Sequence, residues 1–168
     1  MEEEIINRVA QSPLITFDLE KLYPLGERRV LDIAQWLHQG IILREKEFRA
    51  HVDANDWSVY KDAFVALHCS TDAIVPAWAY MLVASRLTPL VRRVHIGSLE
   101  GLETLLYQEI LANLDVSPFV DRPVIIKGCS HRPVPENAYI MALAKIQSVA
   151  KNVMYGEACS SVPLYRKK

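Results

Sequence analysis

The sequence predicts an α/β protein with a three-layer, mainly parallel sheet. It is built from two similar βαβ units, with an N-terminal hairpin and helix as an extension. Three observations predict it. Strand and helix patterns alternate from Asp62 to Tyr155, as crossovers over a parallel sheet require. The runs Ala63-Phe64-Val65-Ala66-Leu67 and Val124-Ile125-Ile126 are continuously apolar, the mark of strands covered on both faces. One phrase also occurs twice: Cys69-Ser70 followed by Val75-Pro76-Ala77-Trp78-Ala79-Tyr80, and Cys129-Ser130 followed by Val134-Pro135-Glu136-Asn137-Ala138-Tyr139. Gly97 and Gly156 follow the two prolines at the same separation. Such repetition is the signature of a duplicated unit.

Taken in order, residues 2–10 read as a short helix with Ile5, Ile6 and Val9 on one face. Pro13 ends it. Residues 14–19 and 29–33 read as strands rich in β-branched and apolar residues. Tyr23-Pro24-Leu25-Gly26-Glu27 between them has turn chemistry, because Pro presets φ and Gly accepts positive φ. A hairpin is therefore expected. Residues 45–54 form a charged helix with Phe48 and Val52 facing inward. No Gly-rich phosphate loop occurs in this first third.

Residues 63–67 form the next strand, which runs into His68-Cys69-Ser70. Pro76 opens a helix in its first turn, where a missing N–H costs nothing. That helix carries Trp78, Met81, Leu82 and Leu87 and stops before Pro89. Residues 91–96 are a strand. Ser98 caps a helix over residues 99–114. Residues 124–127 are a strand running into Gly128-Cys129-Ser130. Pro135 opens a helix to about Lys151, and residues 153–155 make a fourth core strand. Gly156 and a tail bearing Cys159 follow. The expected organisation is one domain over residues 1–168, with 1–61 as the extension and 62–168 as the duplicated core.

The repeat matters for chemistry. Ligands of open parallel sheets bind at the carboxyl ends of the strands. Cys69 and Cys129 each follow such a strand directly, and Cys159 follows the fourth. All three head a Cys-Ser…Val-Pro phrase. If the strands leading to Cys69 and Cys129 are neighbours, their ends lie about 5 Å apart. Each thiol also precedes a helix start, whose dipole favours thiolate. The expected site therefore has three cysteine ligands, Cys69, Cys129 and Cys159. The hydroxyls of Ser70, Ser130 and Ser160 would donate hydrogen bonds to the sulfurs. Zinc would need a fourth ligand, His68 or His131. An iron–sulfur cluster would also accept three cysteines. No Cys-x-x-Cys spacing selects between the metals.

Other readings stand beside this one. A free cysteine also serves as a small buried hydrophobe, and His68 as a satisfied core histidine. His38, His51 and His95 read as surface or capping residues. Trp78, Tyr80 and Tyr139 read as core packing, and Arg132 as a partner for an anion or a carboxylate. Cys129 is the expected nucleophile of a thiol enzyme or sulfur carrier, assisted by His131 or Arg132. A non-enzymatic interaction module with core cysteines is the third reading.

Bulk composition narrows the setting. The 168 residues suffice for one buried core. A net charge of −1 leaves no electrostatic footprint for nucleic acid. No apolar run approaches the roughly 20 residues of a membrane span. The acidic start, Met1-Glu2-Glu3-Glu4, is the reverse of a signal peptide. A cytoplasmic protein is expected, with a homodimer as the base-rate assembly. Three cysteines in that compartment are read as free, catalytic or metal-bound.

The phrases His68-Cys69-Ser70-x-Asp72-Ala73-Ile74-Val75-Pro76, Gly128-Cys129-Ser130, Met154-Tyr155-Gly156-Glu157-x-Cys159-Ser160 and Gly40-Ile41-Ile42-Leu43-Arg44-Glu45-Lys46 resemble an uncharacterised bacterial family, domain-of-unknown-function family 2480. The likeness covers essentially the whole chain. Members are often encoded near iron–sulfur cluster assembly genes. The resemblance therefore implies an iron or cluster role over structural zinc, and iron–sulfur assembly proteins as partners. It implies no site residues.

Overall fold

The computed structural model describes residues 13–127 and 131–168. The helix expected over residues 2–10 lies outside the described residues. The protein is α/β, with largely parallel open sheets. It divides into two compact units: Pro24–Leu105, and the chain up to Tyr23 together with Leu106–Lys168.

In the Pro24–Leu105 unit, β2 (Arg28–Asp32), β3 (Phe64–His68) and β4 (Arg93–Ile96) form a wholly parallel sheet in that order. Central β3 is buried at Phe64, Val65, Ala66 and Leu67, which explains its lack of polar alternation. Helix α1 (Glu45–Ala54) lies in the chain between β2 and β3, and α2 (Ala77–Leu87) between β3 and β4. Glu45 and Glu47 in the first turn of α1 suit its N-terminal dipole. Its Phe48 and Val52 are fully buried. Edge-to-face contacts run from Trp57 to Trp36 (6.0 Å), Trp36 to Phe48 (5.9 Å) and Phe48 to Trp78 (6.0 Å), a geometry that the ring quadrupoles favour. The three tryptophans therefore serve this core.

In the other unit the sheet order is β1 (Ile15–Asp18), β5 (Pro123–Lys127), β6 (Asn152–Glu157) and β7 (Ser160–Arg166). The first three are parallel, and β7 returns antiparallel along β6. Helix α4 (Glu136–Gln147) connects β5 to β6. Phe17, Tyr107, Phe119, Ile126, Ile146 and Val153 are buried together. Tyr107 belongs to α3 (Leu99–Ala112), and its hydroxyl donates to the carbonyl of Leu19 at 2.9 Å.

Three expectations are corrected. The first two strands form no hairpin: β1 pairs with β5, and β2 with β3. Each ends in an aspartate that caps a single 3₁₀ turn. Asp18 Oδ1 accepts from the N–H of Glu20, and Asp32 Oδ1 from that of Ala34, both at 3.0 Å. The chain thus leaves β1 before it reaches the Tyr23–Glu27 turn residues. The core strands form two sheets instead of one, so β3 and β5 are not neighbours. The tail after Gly156 is a strand, β7, hydrogen-bonded along β6.

Candidate functional site

The carboxyl ends of β2 and β3 bring several polar side chains together within the Pro24–Leu105 unit. Register pairs Asp32 with His68. This sets the Asp32 carboxylate beside the segment that follows β3. Its Oδ1 accepts from the backbone N–H of Ser70 at 3.0 Å, as well as from Ala34. Burial pushes the Asp32 carboxyl upward, but the Ser70 hydroxyl, the N–H groups of Ala34 and Ser70, and the nearby His68 more than offset this. The group stays below the usual carboxylate range and is ionised at neutral pH.

Cys69 lies half-buried against the core of this unit. Its Sγ stands 3.6 Å from the Thr71 carbonyl oxygen and 3.4 Å from the Thr71 hydroxyl. That hydroxyl donates to the Gly40 carbonyl at 2.6 Å, so the thiol is left as the donor to Thr71. Gly40 has φ +75°, a conformation that favours glycine, and this turn aims its carbonyl at Thr71. Ser70 is engaged with Asp32, not with the sulfur. Tyr80, on the first turns of α2, has its phenol pushed up by burial and by the charges of Cys69 and Asp32. It stands within electrostatic reach of both.

In the other unit, Lys127 ends β5, and Gly128, Cys129 and Ser130 lie outside the described residues. The neighbouring polar groups are described. The backbone N–H of His131 donates to Glu20 Oε1 at 3.0 Å. The Arg132 guanidinium lies over the Tyr23 ring at 5.2 Å, a cation–π contact. Lys127 Nζ meets Glu157 at 3.0 Å. The hydrogen bond and charge of Glu157 raise the Lys127 ammonium, burial opposes the rise, and Asp18 and Glu20 add to it. Cys159 is exposed in the short turn between β6 and β7. Ser160 opens β7, opposite Glu157.

The predicted residues therefore group by unit. His68, Cys69 and Ser70 share the β2–β3 rim, and Cys159 and Ser160 sit at the β6–β7 turn. The spacing expected for thiols on neighbouring strands does not apply, since β3 and β5 belong to different sheets. Among the described residues, no group of three or more His, Cys, Asp or Glu is gathered closely enough to hold a metal ion. Sequence reasoning overlooked Asp32; it took Tyr80 for packing, and Tyr80 does pack against the core of this unit. The available signal for Asp32 was an acidic residue closing a strand, which was read only as part of an alternating pattern.

A family model described as protein of unknown function (DUF2480) matches residues 3–167. No curated protein matches. No solved structure matches.

Proposed function

We propose that this chain, which belongs to the DUF2480 family, binds a metal ion or an iron–sulfur cluster through Cys69, Cys129 and Cys159. His68 or His131 is the candidate nitrogen donor. The work we propose for it is that of a cytoplasmic accessory factor in iron–sulfur cluster assembly, with assembly proteins as partners. One observation carries the reading. A half-buried thiol stands at the carboxyl rim of a parallel sheet, beside an ionised carboxylate that accepts hydrogen bonds from Ser70 and Ala34. Carboxylate and thiolate together favour a bound cation over an anion, and soft thiolates favour zinc, copper(I) and iron–sulfur clusters.

The duplication supports the same reading. We take β3–α2–β4 and β5–α4–β6 as two copies of one βαβ plan. Each pairs through its first strand with a strand that closes on an aspartate capping a 3₁₀ turn, Asp32 in one case and Asp18 in the other. On that plan Cys69 and Cys129 occupy equivalent places after their strands. A reducing compartment suits Cys69 and Cys159, which carry no disulfide. No described helix is long and apolar enough to cross a membrane.

The test is elemental analysis and an absorption spectrum on protein purified without oxygen and without a metal-affinity tag. Stoichiometric iron with sulfide, or stoichiometric zinc, is expected. Cys69→Ser, Cys129→Ser and Cys159→Ser should each lower the metal content. Full retention of metal by all three variants would sink the reading.

A further inference from the structure

We propose that Asp32 is the positioning residue for Cys69: by gripping Ser70, it sets where the sulfur sits at the strand rim. The proposal rests on the reading of Cys69 as a ligand, and it adds a residue that makes no contact with the metal itself. The geometry is specific. Asp32 lies on the strand next to β3, opposite His68, and reaches past it to the residue after Cys69. One carboxylate oxygen serves two N–H groups, that of Ala34 in its own 3₁₀ turn and that of Ser70, both at 3.0 Å. The Ser70 hydroxyl also favours the charged form of that carboxylate.

A second anchor lies on the other side of the thiol. The Thr71 hydroxyl is tied to the Gly40 carbonyl at 2.6 Å, and the Cys69 sulfur stands against Thr71. Cys69 is thus followed by two consecutive anchored residues, one held by the turn after β2 and one by the Gly40 bend. Beyond them the segment rises into solvent, with Ile74 at 93 % exposure. The anchors at Ser70 and Thr71 therefore decide how the half-buried thiol is presented. Removing the Asp32 carboxylate frees the Ser70 side while leaving the Thr71 tie intact.

The test uses the full chain with Cys129→Ser and Cys159→Ser, so that Cys69 is the sole thiol. Its alkylation by iodoacetamide is timed well below the melting temperature. Asp32→Ala should speed the reaction about tenfold, the scale of one lost hydrogen bond. Asp32→Asn, which keeps an acceptor oxygen for the N–H groups, should stay within about threefold of its parent. An unchanged rate in Asp32→Ala, or equal acceleration in both variants, overturns the proposal. Should Asp32→Ala fail to fold, Asp32→Thr takes its place with the same expectation. Its hydroxyl still caps the Ala34 N–H but is too short to serve Ser70 as well.

Cobalt(II) chloride titrated into the chain with all three cysteines provides the spectroscopic arm. The thiolate-to-cobalt absorption should weaken in Asp32→Ala and persist in Asp32→Asn; equal absorption in both would count against positioning. Absence of that absorption from every form, the parent included, would remove the metal reading alone. The alkylation rates would then still decide whether Asp32 positions Cys69.

Discussion

Arg28 and Glu103 meet as a two-pronged ion pair, Nε to Oε1 at 2.7 Å and Nη2 to Oε2 at 3.1 Å. Their side chains are only 12% and 9% exposed, so both charges are largely removed from water. The third arm of the guanidinium donates to the carbonyls of Pro24 and Gly26 at 2.7 and 2.8 Å. The Arg28 guanidinium also lies 4.8 Å from the centre of the Phe64 ring. In the folded unit Arg28 and Glu103 tie the start of β2 to α3.

Breaking this pair on one side should therefore cost more than an exposed ion pair does. Glu103→Ala or Arg28→Ala should each lower stability by about 3–5 kcal/mol, because one charge remains buried and uncompensated. The double variant should lose clearly less than the sum of the two, since the partners share one interaction. Urea denaturation followed by circular dichroism measures all three. Additive losses would refute a coupled pair.

Gly156 is the position where the repeated glycine is least replaceable. Its φ is +121°, and an added Cβ would come 2.6 Å from the backbone oxygen of Ser160. Gly97 has φ +139°, but its nearest obstacle, at 2.9 Å, is the imidazole of His95, a side chain that can turn away. Gly156→Ala should cost about 2 kcal/mol or more, and Gly97→Ala about 1 kcal/mol. Thermal melts of the two variants check the order. A larger loss at Gly97 would contradict it.

Asp32 makes part of the stability depend on pH. Its carboxyl is held below its ordinary range in the folded protein. A depressed carboxyl stabilises the fold above its unfolded pKa, and the contribution is lost as the pH falls through the folded value. Near neutral pH, Asp32→Asn should therefore be less stable than the parent. The gap should narrow as the pH drops below about 4. Denaturation midpoints across that range give the answer, and a gap that widens toward acid would reverse the sign.

Elements held by local or strongly periodic signals were legible in the sequence. Helix α1 runs over the expected residues 45–54, because Phe48 and Val52 recur at helical spacing. Strands β3 and β5 announce themselves by uninterrupted apolar runs, and α2 starts directly after Pro76. The β1 and β2 partners were not legible. Both segments have ordinary strand patterns, and a Pro and a Gly between them imitate a hairpin. β7 was missed because Pro163 and two serines weaken a pattern that its antiparallel bonds to β6 nevertheless complete.

For the site, the sequence by itself determined the local setting of Cys69. Cys69 follows a buried strand and precedes a Pro-initiated helix, and these are facts of order along the chain. Only the tertiary structure decided which groups face Cys69 and Ser70. Asp32 reaches Ser70 across 38 positions of sequence because β2 and β3 pair in parallel with Asp32 opposite His68. Strand pairing is settled by the burial of both faces and by the closing of every backbone hydrogen bond, and those conditions have no counterpart in the spacing of residues.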